Sequence, residues 1–145
     1  MQNDPVETIM RAVLALGRRL RAERPQGGPA LSALGALSTL NREGPMTAVR
    51  LAEQERLRPQ SLTRILAELE QSGWITRTRS EADRRKTRLA VTPHGRAVLA
   101  EDMAARGRWL AAALEQTLDP AERATLASAA RAMQKLAAHE GRQDG

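Results

Sequence analysis

The chain has 145 residues, 41% of them hydrophobic, and a formal net charge of +6, which suits one domain with a buried core. It has no Cys and only two His, His94 and His139, which excludes disulfides and thiolate metal sites and leaves little for a metal site or a catalytic set. We therefore expect no enzyme, no metal and no cofactor. No apolar run has membrane-spanning length and the start lacks a signal-peptide pattern, so we expect a cytoplasmic protein.

Two helix-start signals flank the chain, at residues 4–7 (Asp-Pro-Val-Glu) and 119–122 (Asp-Pro-Ala-Glu). Each places an acidic N-cap before a Pro at the first helical position and a Glu at the third. They predict terminal helices at about 5–22 and from 120 to 138. Both helices have one strongly apolar face, so each needs a partner surface. In the first helix this face comprises Val6, Ile9, Met10, Val13, Leu16 and Leu20.

Three further helices are predicted between the first helix and Gly73. Ser32 is expected to cap a helix that ends near Asn41, and Thr47 is expected to cap a short helix that follows. Pro59 begins the third, which ends at Gly73. Two short helices joined tightly at residues 56–58 are typical of a helix-turn-helix. The inward face of the second is expected to comprise Leu62, Ile65, Leu66 and Leu69.

A basic hairpin follows the helix-turn-helix. Trp74-Ile75-Thr76 is predicted to begin a strand, and residues 87–91 to form its antiparallel return. The segment 77–95 has a net charge of +4, and its cations cluster at the predicted hairpin tip, residues 77–88. They are Arg77, Arg79, Arg84, Arg85, Lys86 and Arg88, with Glu81 and Asp83 as the acids. The alternative is that these acids merely pair with arginines in a solvated turn.

These elements predict a mainly α fold with a small β-hairpin wing, a winged helix-turn-helix covering about 31–92 of a single domain, 1–145. A helix fits the major groove, where each base pair shows a distinct pattern, while a basic hairpin reaches phosphates or the minor groove. The strongly basic composition favours a polyanionic partner, although arginines could instead simply solvate helix faces. The residues expected to read bases are Gln60, Ser61, Thr63 and Arg64. Thr92 and Pro93 are predicted to begin a long helix that ends near residue 118.

Two segments resemble the MarR family: LAEQERLRPQSLTRILAELEQSGWITR (51–77) and DRRKTRLAVTPHGRAVL (83–99). The resemblance implies a homodimer held by helices at about 5–22 and 93–138, which binds a pseudo-palindromic double-stranded DNA operator. It implies a transcriptional regulator, usually a repressor, often relieved by a small aromatic or amphipathic effector. It also implies that Asp83 anchors the wing by pairing with a neighbouring arginine, while Arg84 or Arg85 reaches the minor groove. Arg79 and Lys86 complete the expected wing contacts.

The sequence departs from the family pattern in three places. Glu55 and Arg56 replace an apolar residue and a small turn residue, and Arg58 replaces the usual Ser or Thr cap of the recognition helix. Arg58 is therefore expected to contact a phosphate. With few aromatics available, the candidate ligand pocket comprises Trp109 and Met103; the alternative for Trp109 is packing between the dimer helices. Trp74 is expected in the core beneath the wing. The alternative function is a winged-helix module used for protein–protein interaction, or for non-specific DNA binding without an effector.

Overall fold

The structure is a computed structural model that describes residues 4–79, 81–82 and 85–139, so Asp83 and Arg84 lie outside the described residues. The mainly α fold class with a two-stranded hairpin is confirmed. The chain forms two compact units, one ending at Arg106 and the other starting at Gly107. The elements are α1 (Pro5–Ala22), α2 (Leu31–Glu43), α3 (Ala48–Glu55), α4 (Pro59–Gln71), β1 (Ile75–Arg79), β2 (Thr87–Val91), α5 (Pro93–Thr117) and α6 (Pro120–Ala137).

Both predicted terminal helix starts are confirmed. At α1, the Asp4 carboxylate accepts a hydrogen bond of 3.0 Å from the backbone N–H of Val6. At α6, the Asp119 side chain accepts from the backbone N–H of Glu122 at 2.8 Å, and the Glu122 side chain accepts from that of Asp119 at 3.1 Å. Each cap satisfies N–H groups that have no partner within the helix.

The predicted cap of α2 is wrong. The helix begins at Leu31, after an extended Ala30 that has no side-chain capping bond, so Ser32 already lies in its first turn. The Ala30 carbonyl accepts from the backbone N–H of Leu34 at 2.8 Å. The carbonyl of the preceding residue, Pro29, accepts from the guanidinium of Arg24 at 2.5 Å. Because the Ala30 carbonyl already accepts the first helical hydrogen bond, the helix begins before Ser32, and Ser32 does not cap it.

The core of the first unit lies between α2, α3, α4 and the hairpin. The predicted inward face of α4 is confirmed, because all four of its apolar residues are buried. Thr47 caps α3 as predicted, accepting from the backbone N–H of Arg50 at 3.3 Å. The largest fully buried apolar side chains are Leu37, Leu40, Leu51, Leu69 and Leu89.

The return strand β2 has the predicted bounds, 87–91, whereas β1 differs from the prediction by one residue at its start. β1 starts at Ile75, not Trp74, and runs to Arg79, which pairs with Thr87 on β2. Arg77, Arg79 and Arg88 therefore lie on strands, and placing them at the tip was wrong. Alternating Thr and Arg residues extend the ladder because β-branched and long side chains suit a half-exposed ribbon. Met46, between α2 and α3, exchanges two backbone hydrogen bonds (3.2 and 2.8 Å) with Leu89 and so fastens the ribbon to the helices.

The start of α5 packs directly on the residues that connect α4 to β1. The Thr92 hydroxyl donates to the Gly73 carbonyl at 2.6 Å and accepts from the backbone N–H of Gly95 at 3.0 Å, which confirms Thr92 as the cap. A Cβ at Gly95 would lie 2.2 Å from the backbone oxygen of Trp74. Only glycine fits there, which gives a physical reason for the Thr-Pro-x-Gly sequence.

A buried charged cluster in α5, centred on Asp102, was not predicted from the sequence. Asp102 is 2% exposed, and its carboxylate contacts Arg24 Nε at 2.7 Å and Arg106 Nη2 at 2.5 Å. Arg24 follows α1, so the cluster fastens the segment between α1 and α2 to α5. The i,i+4 spacing of Asp102 and Arg106 permits an ion pair, but no local pattern indicates that the pair is buried with Arg24, because acidic and basic residues in a helix usually face water.

The helices α1 and α6 expose most of their large apolar side chains. Every residue of α1 and of α6 retains some exposure, and Met103 on α5 is 65% exposed. No helix in the described ranges is long and apolar enough to cross a bilayer. The large exposed hydrophobic residues of α1 and α6 are Val6, Ile9, Met10, Val13, Leu14, Leu126, Met133 and Leu136.

Candidate DNA-binding surface

The outer face of α4 displays polar side chains opposite its buried leucines. Gln60, Thr63 and Arg64 are exposed, whereas Ser61 is half-buried and offers less surface than its neighbours. The helix starts at Pro59, after an extended and exposed Arg58 that makes no capping bond. With Arg58 in place of a Ser or Thr cap, the first N–H groups of α4 have no side-chain acceptor from that position.

A hydrogen bond within α4 restricts which groups of Thr63 can contact a binding partner. The Thr63 hydroxyl donates to the Pro59 carbonyl at 2.9 Å, so its proton is already used within the helix. The methyl group and the oxygen lone pairs remain for an outside partner. Arg58 and Arg64 form no ion pair with any residue in the described part of the chain, which leaves both guanidinium groups available to an anion.

The turn before α4 explains two departures from the expected pattern. Arg56 adopts a left-handed conformation (φ 52°), and the Leu57 N–H closes the end of α3 by donating to the Ala52 carbonyl at 2.9 Å. A small residue suits this conformation, whereas a side chain with a Cβ costs energy. The Glu55 carboxylate accepts a hydrogen bond from the hydroxyl of Thr39, a buried residue of α2. Glu55 therefore satisfies a polar group that an apolar residue would leave without a partner.

The wing exposes several cations. Arg79, Arg85, Lys86 and Arg88 are all exposed. Arg79 and Arg88 belong to adjacent residue pairs of the ladder, so they project from opposite faces of the ribbon. Arg77 differs, because its Nε lies 2.6 Å from Glu70 Oε1 on α4 and so ties the wing to the recognition helix. The expected roles of Asp83 and Arg84 fall outside the described residues and stay predictions.

The two tryptophans lie in different surroundings. Trp74 is half-buried and packs against the core, as predicted, with the His94 ring edge-on at a centroid distance of 6.4 Å. Its indole Nε1 is buried without a hydrogen-bond partner in the described part of the chain. Trp109 is half-buried on α5, whereas Met103 is largely exposed. The ligand pocket expected at Trp109 and Met103 stays a prediction.

The helix-turn-helix, its polar outer face and the attached basic ribbon define a winged helix-turn-helix fold of the DNA-binding type. Residues 31–87 match the model of the MarR family. A curated HTH-type transcriptional regulator of Mycobacterium tuberculosis is 41% identical over 125 residues, covering 86% of this chain and 87% of that protein. The chain belongs to the MarR family and is a DNA-binding transcriptional regulator.

Solved structures share the same fold. A Pseudomonas aeruginosa protein described as a transcriptional regulator has a TM-score of 0.81 and 38% identity, over 93% of this chain and 95% of that chain. A MarR family protein from Bacillus stearothermophilus has a TM-score of 0.77 at 22% identity, over 92% of this chain and 94% of that one. The fold and the regulator class expected from the sequence are thus confirmed, and DNA-binding regulation is favoured over a module used only for protein contacts.

Proposed function

We propose that this regulator is a cytoplasmic homodimer that binds a pseudo-palindromic DNA operator and represses transcription until a small amphipathic or aromatic molecule binds, and that it has no enzymatic role. The observation that carries the proposal is the exposed polar face of α4 beside a wing with exposed cations. A helix reads the major groove with its N-terminal residues, and cations position the protein on the phosphates.

Base reading is assigned to Gln60, Ser61, Thr63 and Arg64, and phosphate contact to Arg58. Gln can make two hydrogen bonds to adenine and Arg two to guanine, each pair contributing about 1–3 kcal/mol of discrimination. The exposure of Gln60 and Arg64 supports direct contact with bases. Ser61 is half-buried and therefore offers less surface for such a contact.

The wing contacts are assigned to Arg79, Arg84, Arg85 and Lys86, with Asp83 as the anchor of the tip. Cations on a protruding ribbon attract the phosphates and the narrow minor groove of A·T stretches. The exposure of Arg79, Arg85 and Lys86 supports this assignment. Arg77 is not expected to contact DNA because Glu70 already pairs with it.

Dimerisation is assigned to the helices at about 5–22 and 93–138. The support is the exposed apolar surface on α1 and α6, since contiguous apolar patches on soluble proteins mark interaction sites. The effector response rests on family membership, with Trp109 and Met103 as candidate contacts.

Base reading is tested with variants of α4 on a duplex that the purified protein enriches from a random-sequence library. Gln60→Ala and Arg64→Ala should each reduce the preference for particular base pairs, by about 5- to 150-fold where a bidentate pair is removed. Gln71→Ala, an exposed Gln at the far end of the same helix, is the matched control and should retain the preference. An equal decrease of affinity for every sequence would assign Gln60 and Arg64 to phosphates and refute their role in base reading.

A further inference from the structure

A groove of about 330 Å³ lies between α3 and α4, next to the residues assigned to base reading. Val49 of α3 and Pro59 and Thr63 of α4 contribute to its walls, and Leu57 and Leu62 are also among its lining residues. Val49 is 71% exposed, although its neighbours on α3, Leu51 and Ala52, are buried. An apolar side chain this exposed adds little to the core, so its surface is available to a partner outside the domain.

Exposed cations that are adjacent in the chain to the lining residues indicate which partner would cover the groove. Arg50, Arg58 and Arg64 are exposed, and each directly follows or precedes one of the lining residues in the chain. A surface that combines cations with an apolar groove matches a duplex, whose phosphates flank the base edges in the major groove. Glu53, the acidic lining residue, is suited to a base amino group and not to a phosphate.

Hydrogen bonding at Thr63 indicates which base feature the groove can recognise. Its hydroxyl oxygen is held toward the helix backbone by the 2.9 Å bond to the Pro59 carbonyl, so the methyl is the branch left for an apolar contact. In the major groove only thymine presents a methyl group, at C5.

We propose that Val49, Pro59 and Thr63 form an apolar site that recognises thymine C5-methyl groups of the operator in the major groove. The inference rests on the proposed function and adds a second way of reading sequence to the hydrogen bonds of Gln60 and Arg64. Removing one methyl-sized contact should weaken binding about three- to five-fold per thymine contacted, because the apolar surface is then no longer withdrawn from water.

The experiment uses the duplex enriched from the random library and replaces its thymines one at a time with deoxyuridine, which lacks only the methyl group. In each half-site, one or two replacements should weaken binding of the parent protein about three- to five-fold. Thr63→Ser removes the protein methyl and keeps the hydroxyl, and should abolish the difference between thymine and deoxyuridine at one of these positions. Thr63→Val keeps a methyl at that branch without the hydroxyl and should retain the difference.

Val49→Ala should likewise reduce the deoxyuridine effect, whereas Gln71→Ala should leave it unchanged. If the library yields an enriched duplex but no thymine responds to removal of its methyl, the methyl-reading inference is wrong and the proposed function stands. It is also wrong if Thr63→Ser and Val49→Ala retain every thymine effect. If the library yields no preferred sequence, sequence-specific binding fails and the inference fails with it.

Discussion

Gly95 lets the start of α5 lie against the backbone at Trp74, because glycine has no Cβ. The backbone oxygen of Trp74 occupies the place where a Cβ would be, 2.2 Å away, and Val91 Cγ1 would lie at 2.9 Å. Gly95→Ala should therefore lower the free energy of unfolding by about 3 kcal/mol, the upper end of the cost of overpacking, because a backbone oxygen cannot move aside easily. Urea unfolding followed by circular dichroism measures it.

Gly107→Ala is the matched control, because the added Cβ at this other α5 glycine would meet no heavy atom within 4 Å. It should stabilise the protein by about 0.5–1 kcal/mol, since alanine has the higher helix propensity. Equal stability of the Gly95→Ala variant and the parent would show that α5 does not need the close approach to Trp74.

Residues with a local signal were predictable, and those defined by tertiary contacts were not. Asp4, Thr47, Thr92 and Asp119 each cap a helix as their positions suggested, because capping depends on neighbours in the chain. The cap predicted at Ser32 was wrong because the Ala30 carbonyl already accepts the first helical hydrogen bond, so α2 begins before Ser32. The buried Asp102 had no local signal, since its partners include a residue 78 positions away.

At the scale of elements, the Arg24–Asp102–Arg106 cluster joins the α1–α2 connection to α5. Asp102→Asn should cost about 3–5 kcal/mol of unfolding free energy, because it leaves two largely buried guanidinium groups without their counter-charge. Glu7→Gln, which breaks an exposed pair with Arg11, is the control and should cost less than about 1 kcal/mol. Denaturant unfolding of both variants measures these costs. Similar small decreases of the unfolding free energy in the two variants would mean that the cluster contributes little to stability.

The cations of the wing should contribute about equally to the binding of operator and non-operator DNA. Arg84→Ala combined with Arg85→Ala should weaken operator and non-operator binding together and reduce the slope of log affinity against log salt by about 0.9 for each phosphate that is no longer neutralised. Asp83→Ala should also weaken binding although it removes a negative charge, because an unanchored tip loses more conformational entropy on docking. Tighter binding of Asp83→Ala than of the parent at fixed salt would show that Asp83 is only a surface charge.

At the scale of the whole molecule, the apolar faces of α1 and α6 remain exposed in the part of the chain that the structure describes. Apolar side chains at helical spacing, such as Ile9, Val13 and Met133, remain in contact with solvent. Light scattering at micromolar concentration should therefore give about twice the monomer mass of 15.9 kDa. A monomer of that mass which still binds an operator tightly would contradict the dimer.

The proposed function requires that the protein recognises a particular DNA sequence through α4 while the wing supplies affinity for any duplex. Its most direct test is the affinity of the parent protein for the library-enriched duplex and for a scrambled duplex of equal length, at two salt concentrations. Both affinities should fall steeply as salt rises, and the enriched duplex should bind at least about 10³-fold more tightly. Equal affinity for the two duplexes, or no binding to either at low salt, would contradict sequence-specific DNA binding by this protein.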